Sequence, residues 1–168
     1  MIHWILLINR QGKVRLSKWY ESFTETERSA ILRDVQSHVL TRSSKMCNVV
    51  DRKDNKIVYK RYASLYFIAC IDADENELAM MELLHVFVEV LDSYFGNVCE
   101  LDLIFHFTRA YWILDEMFSG GELLECDKSA VLAAVYSKDA AAEPVPEFAP
   151  KTPSGAHVAS ASHSSRHR

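Results

Sequence analysis

Between Ala63 and Asp72, apolar side chains occupy both parities of one extended run. Ala63, Leu65, Phe67, Ala69 and Ile71 fall on one side; Tyr66, Ile68 and Cys70, with Tyr62 before them, fall on the other. Successive side chains of a strand point to opposite faces. A strand apolar on both faces belongs inside a sheet that is covered from above and below. The chain therefore needs helices for two layers, and its remaining segments must supply them.

They do so in a readable order. Ile2–Asn9 is a strand candidate, Arg10-Gln11-Gly12 a turn, and Lys13–Trp19 the second arm of a hairpin. Thr24 followed by Glu27 predicts a capping box. The helix it opens runs to about Leu40, with Ile31, Leu32, Val35 and Val39 on one face. Asn48–Arg52 and Lys56–Arg61 read as strands around a Lys53-Asp54-Asn55 turn, and Ala63–Asp72 follows as the covered strand. A long helix is predicted over Asn76–Phe95, stopped by Gly96. A second spans about Leu101–Ser119 and ends at Gly120-Gly121, and a short one covers Lys128–Tyr136. From Asp139 onward Ala, Pro, Ser and His dominate. Such a composition buries too little apolar area to offset ordering entropy. The expected organisation is a domain over 1–138 and a disordered tail over 139–168.

The two long helices carry more apolar surface than a surface helix needs. Along Asn76–Phe95 one stripe is Leu78, Met81, Leu84, Val88, Leu91 and Phe95, and Met80, Leu83, Phe87, Val90 and Tyr94 form a second. Along Leu101–Ser119 a row of Leu103, Phe107, Tyr111, Leu114 and Phe118 is widened by Leu101, Ile104, Phe105 and Trp112. One stripe of about 100° is the norm. The excess predicts a permanent interface with another chain, which resembles a core cut in half.

Chemistry is sparse. Hydrophobic residues make up 49% and charged residues 25%, and the net charge is −4, which argues against nucleic acid as a partner. Cys47, Cys70, Cys99 and Cys126 are widely spaced, without metal-ligand pattern, and read as reduced thiols. The apolar start lacks a basic segment and a small-residue cleavage site, and reads as a strand rather than a signal peptide. Cys99, His85 and Asp102 could compose a nucleophilic site only by a geometry that spacing does not provide. Two basic groups stand out: Arg10, Lys13, Arg15 and Lys18, and then Lys53, Lys56, Lys60 and Arg61 with Tyr59 and Tyr62 interleaved. They are either solvated strand edges or a surface for an anionic partner.

Several segments carry a family resemblance. Residues Asn9-Arg10-Gln11-Gly12-Lys13-Val14-Arg15-Leu16, Tyr59-Lys60-Arg61-Tyr62-Ala63-Ser64-Leu65-Tyr66-Phe67, Tyr94-Phe95-Gly96-Asn97-Val98-Cys99-Glu100-Leu101-Asp102 and Tyr111-Trp112-Ile113-Leu114-Asp115-Glu116-Met117-Phe118 resemble clathrin-adaptor sigma subunits, from residue 1 to about 136. The resemblance implies an α+β longin-like fold, a five-stranded antiparallel sheet flanked by helices on both faces. It implies a noncatalytic subunit without cofactor or metal, held in a heterotetramer with gamma-type and beta-type large adaptins and a medium mu subunit. Clathrin, an Arf-class GTPase and a phosphoinositide membrane would be met through the complex. The implied place is the cytoplasmic face of the trans-Golgi network, endosomes and clathrin-coated vesicles. Lys45-Met46-Cys47, Lys60, Ser64 and Gly120-Gly121 resemble the trans-Golgi and endosomal adaptor more than the plasma-membrane one. The alternative is a longin-type subunit of another coat, such as coatomer zeta.

The resemblance also implies a cargo site for acidic dileucine signals. Ala63, Leu65, Val88, Val98 and Leu103 would line an apolar pocket, Asn97 would touch the peptide beside it, and Arg15, helped by a basic residue of the large subunit, would face the upstream acidic residue or phosphate. Burying two leucine side chains offers roughly 3–6 kcal/mol before association costs.

Overall fold

The computed structural model describes residues 1–142 of the 168. Strand β1 (Ile2–Asn9) turns into β2 (Val14–Trp19), helix α1 (Glu25–Val39) follows, and β3 (Val49–Asp51), β4 (Asn55–Tyr62) and β5 (Leu65–Asp72) complete the sheet. Its order is β2-β1-β5-β4-β3, antiparallel throughout. The run that is apolar on both faces, β5, lies at the centre, between β1 and β4.

The parities segregate as expected. Trp4, Leu6, Ile8, Ile57, Ile68 and Cys70 face α1 and meet Val35 and Val39. Ile5, Leu7, Leu65, Phe67, Ala69 and Ile71 face the opposite way, into a larger core. Helix α1 opens on the capping box, with both reciprocal bonds between Thr24 and Glu27 formed.

Helix α2 (Glu77–Phe95) lies in the larger core. Asn76 caps its start through two backbone N–H groups, and Gly96 ends it at φ 68°. Met80, Leu84, Phe87, Val88, Val90 and Leu91 are all buried, so both predicted stripes are used within the chain. The sheet takes part of this surface and two further helices take the rest. Much of the apolar surface of α2 is thus covered by the chain's own C-terminal helices, while Leu78 of the first stripe stays 70% exposed.

The predicted helix over 101–119 is two helices, α3 (Glu100–Phe105) and α4 (Phe107–Met117), broken at His106, where φ is −122° and ψ 35°. No glycine or proline marks the break. It keeps Leu103 and Ala110 inward while Phe107 turns out, although all three share one face of an unbroken helix. A small hairpin, β6 (Phe118–Ser119) and β7 (Glu122–Leu123), turns through Gly120-Gly121. The Gly121 carbonyl accepts the Ile2 N–H at 2.7 Å, tying this hairpin to β1.

The last helix, α5 (Lys128–Ala141), runs through the expected boundary at 138/139. Asp139 is part of the structure: its carboxylate accepts the Tyr94 hydroxyl at 2.9 Å and the Arg109 Nε at 2.9 Å. The expected tail lies, from residue 143 onward, outside the described residues.

Candidate functional site

Three connections meet at one end of the sheet: the β1–β2 turn, the β4–β5 turn and the loop from α2 to α3. The first two are stitched by Arg10, whose Nη2 donates to the Ala63 carbonyl at 3.2 Å. The first and third are joined by Asn9 and Arg15, which both reach Glu100 at the start of α3. Between them lies a cleft of about 300 Å³ lined by Asn9, Arg10, Gln11, Lys13, Arg15, Ser64 and Glu100.

Ala63 does not lie on the strand where sequence reasoning put it. Tyr62 pairs with Leu65, so Ala63 and Ser64 form a two-residue turn. Ala63 has φ 52°, a left-handed conformation that a side chain disfavours. The turn reverses the chain in two residues, and that geometry asks for positive φ at its first position. The expectation that Ala63 and Leu65 share a strand face is corrected accordingly.

Asn97 follows Gly96 at φ 64°. The loop it belongs to is held by Asp92. That residue's backbone carbonyl accepts the Gly96 N–H at 2.9 Å and the Asn97 N–H at 3.3 Å. Its carboxylate accepts the Val98 N–H at 3.1 Å and the Tyr62 hydroxyl at 2.9 Å. One acidic side chain thereby fixes the end of α2, the loop and the end of β4 together.

Leu65, Val88, Val98 and Leu103 come from four different elements and join one core. The structure does bring them together, but none is more than 4% exposed. The apolar wall is closed. Arg15 stands apart from it, its Nε 2.7 Å and its Nη2 2.5 Å from Glu100 Oε1. Asn9 Nδ2 donates to the same oxygen at 2.9 Å. These bonds, Arg15 first and Asn9 next, hold the Glu100 carboxyl below the ordinary carboxylate range.

Asn9, Tyr62, Asp92 and Glu100 are site residues that sequence reasoning missed. The signal for Asn9 was present: a polar residue ending an otherwise apolar strand, which the fold buries to 5% exposure. The others depend on partners 30 to 91 residues away and had none.

The alternative chemistry does not assemble. Asp102 accepts the backbone N–H of Cys99 at 2.8 Å, as a helix cap. His85 sits 3.6 Å from Glu89, one turn along its own helix. Cys70 is buried, and burial pushes its thiol up to about 12. Among the described residues no cluster of His, Cys, Asp and Glu is arranged to hold a metal ion, and no helix is long and apolar enough to cross a membrane. Of the basic groups, Lys18 pairs with Asp115 at 2.7 Å and Lys56 with Glu77 at 2.8 Å.

A family model described as clathrin adaptor complex small chain matches residues 1–142. The chain belongs to that family. AP-1 complex subunit sigma-1 of Schizosaccharomyces pombe is 55% identical over 142 residues, 84% of this chain and 88% of that protein. The subunit of the same name from Arabidopsis thaliana is 51% identical over 149 residues, 89% of this chain and 92% of its own length. Human AP-1 complex subunit sigma-1A is 49% identical over 139 residues, 83% of this chain and 88% of that one. In three dimensions the chain matches one from a homology model of the full-length AP-3 complex in a stretched open conformation. The TM-score is 0.68 at 31% identity, over 84% of this chain and 95% of that chain. The α+β sheet with helices on both faces is the family's fold, and small chains of adaptor complexes are trafficking subunits rather than enzymes.

Proposed function

We propose that this small chain serves an AP-1-type heterotetrameric adaptor at trans-Golgi and endosomal membranes, where it binds acidic dileucine sorting signals at the end of its sheet. The adaptor assignment draws on relatives that carry the AP-1 name over most of their length. Its partners would be gamma-type and beta-type large adaptins and a medium mu subunit. Clathrin, an Arf-class GTPase and a phosphoinositide membrane would be reached through them.

One observation carries the cargo site. Among the described residues, the non-glycine residues with positive φ are Ala63 and Asn97, and both belong to the proposed peptide contacts. Backbone strain persists where surroundings enforce it, and it gathers at ligand clamps. Here a strained turn at Ala63 and a left-handed loop at Asn97 flank one cleft, beside a basic group suited to an upstream carboxylate.

The closed apolar wall defines what binding must do. Leu65, Val88, Val98 and Leu103 admit a leucine pair only when the loop from Gly96 to Cys99 lifts Val98 out of the wall, while Glu100 stays on Arg15 and Asn9. That loop has a natural hinge in the left-handed pair Gly96-Asn97. Beyond it α3 rests on β2 and α4.

The test uses the reconstituted heterotetramer. Ala63→Asp and Val98→Ser should each weaken a dileucine peptide at least tenfold while the four subunits stay assembled, and the peptide should slow alkylation of exposed Cys99. Wild-type affinity in both variants would remove the pocket from this place. Val88→Asp and Leu65→Ser address the same wall. They put polar groups into a closed core, so they should cost folding as well as binding.

A further inference from the structure

The fork of Arg15 already holds a carboxylate. Two of its nitrogens converge on Glu100 Oε1, at 2.7 Å from Nε and 2.5 Å from Nη2, and Asn9 Nδ2 adds a third donor at 2.9 Å. Asn9 is itself fixed. Its Oδ1 accepts the N–H groups of Gln11 at 3.0 Å and Lys13 at 2.8 Å, which ties the carboxylate to the turn that carries Arg10 and Lys13. Glu100 is the first residue of α3, so it is held from both sides of the cleft. The lining thus sets three cations, Arg10, Lys13 and Arg15, against one anion. Neither Arg10 nor Lys13 makes an ion pair with an acidic side chain among the described residues.

We infer that Glu100 is a built-in counter-ion that sets how much negative charge a cargo peptide must bring. This rests on the dileucine reading of the same cleft. An incoming carboxylate does not meet a bare guanidinium. It must share Arg15 with Glu100 through the donors left on the outer edge, and arginine has five donors with which to do so. Repulsion from Glu100 lowers the gain from a single weak carboxylate, while Arg10 and Lys13 remain for a more strongly charged group. A phosphoserine, which carries close to two negative charges, suits what is left. The balance discriminates by charge while the leucine pair is recognised elsewhere.

Glu100→Gln removes the charge but keeps an acceptor oxygen for Arg15 and Asn9, and Glu100→Asp keeps the charge on a shorter arm. Each goes into the assembled complex and is titrated with two peptides of identical dileucine end, one with an upstream glutamate and one with alanine there. For E100Q the glutamate peptide should bind about three- to tenfold tighter, since one repulsive charge a few ångströms away is gone. The alanine peptide should stay within twofold, and the salt dependence of the glutamate peptide should steepen. E100D should keep the wild-type ratio between the two peptides. Equal changes for both peptides in E100Q, or weaker binding of the glutamate peptide, would overturn the inference and leave Glu100 as a structural prop. A wild-type complex that holds neither peptide would instead bring down the dileucine reading, and this inference with it.

Discussion

At Ala63 a methyl group occupies a backbone conformation better suited to glycine, at φ 52° in a turn of two residues. Left-handed geometry costs an L-residue about 1–2 kcal/mol, whereas glycine adds about 0.4–1 kcal/mol of unfolded-state entropy. Ala63→Gly should therefore stabilise the protein by roughly 0.5 kcal/mol, read as a higher Tm of the assembled complex. A lower Tm would mean that the turn is not strained. The opposite case is Gly121, also at positive φ, where an added Cβ would lie 2.5 Å from the Ile2 carbonyl oxygen. No side chain fits there without moving β1, so this glycine answers to close approach as well as to φ.

Among the elements, α5 shows how much depends on a single polar contact. Its apolar residues Val131 and Val135 reach the core, but its last turn is held by Asp139, which bridges Tyr94 on α2 and Arg109 on α4. The Arg109 Nη2 lies 2.9 Å away as well, so the carboxylate takes a fork of two nitrogens and a hydroxyl. Burial first, and then the bond to Asp139, push the Tyr94 hydroxyl up to about 12. Asp139→Ala should cost about 1 kcal/mol, because the site is partly solvated. Hydrogen exchange should quicken in the C-terminal half of α5 before it quickens in α2. Asp139→Asn should fall between, since one acceptor remains. Uniform protection in the alanine variant would show that Val131 and Val135 suffice.

For the whole molecule, one group of exposed apolar side chains lies together in the chain. Leu101, Ile104 and Phe105 on α3 and Phe107 at the start of α4 are exposed, Phe105 to 73%. Permanent interfaces are built from such residues. The double change Phe105→Ser with Phe107→Ser should alter folding by less than about 0.5 kcal/mol, as exposed positions do, yet reduce recovery of the large subunit with the tagged chain. Recovery at the wild-type ratio would exclude this patch from the interface. The loop that would have to move for a leucine pair to enter leads directly into α3, so cargo access and subunit contact lie side by side.

What the residues alone determined is whatever local spacing and end chemistry decide. The covered central strand, the first hairpin, the Thr24 and Glu27 cap, the stop at Gly96 and the two-layer arrangement all follow from period and caps within about twenty residues. Tertiary structure decided what depends on which elements meet. The helix breaks at His106 although its sequence is continuous, because Leu103 and Ala110 are both pulled inward while Phe107 is not. Arg15 finds Glu100, 85 residues away, rather than standing free. The apolar side chains named for the pocket converge as expected, but the wall they form is shut, because side chains from separate elements pack against one another at interior density.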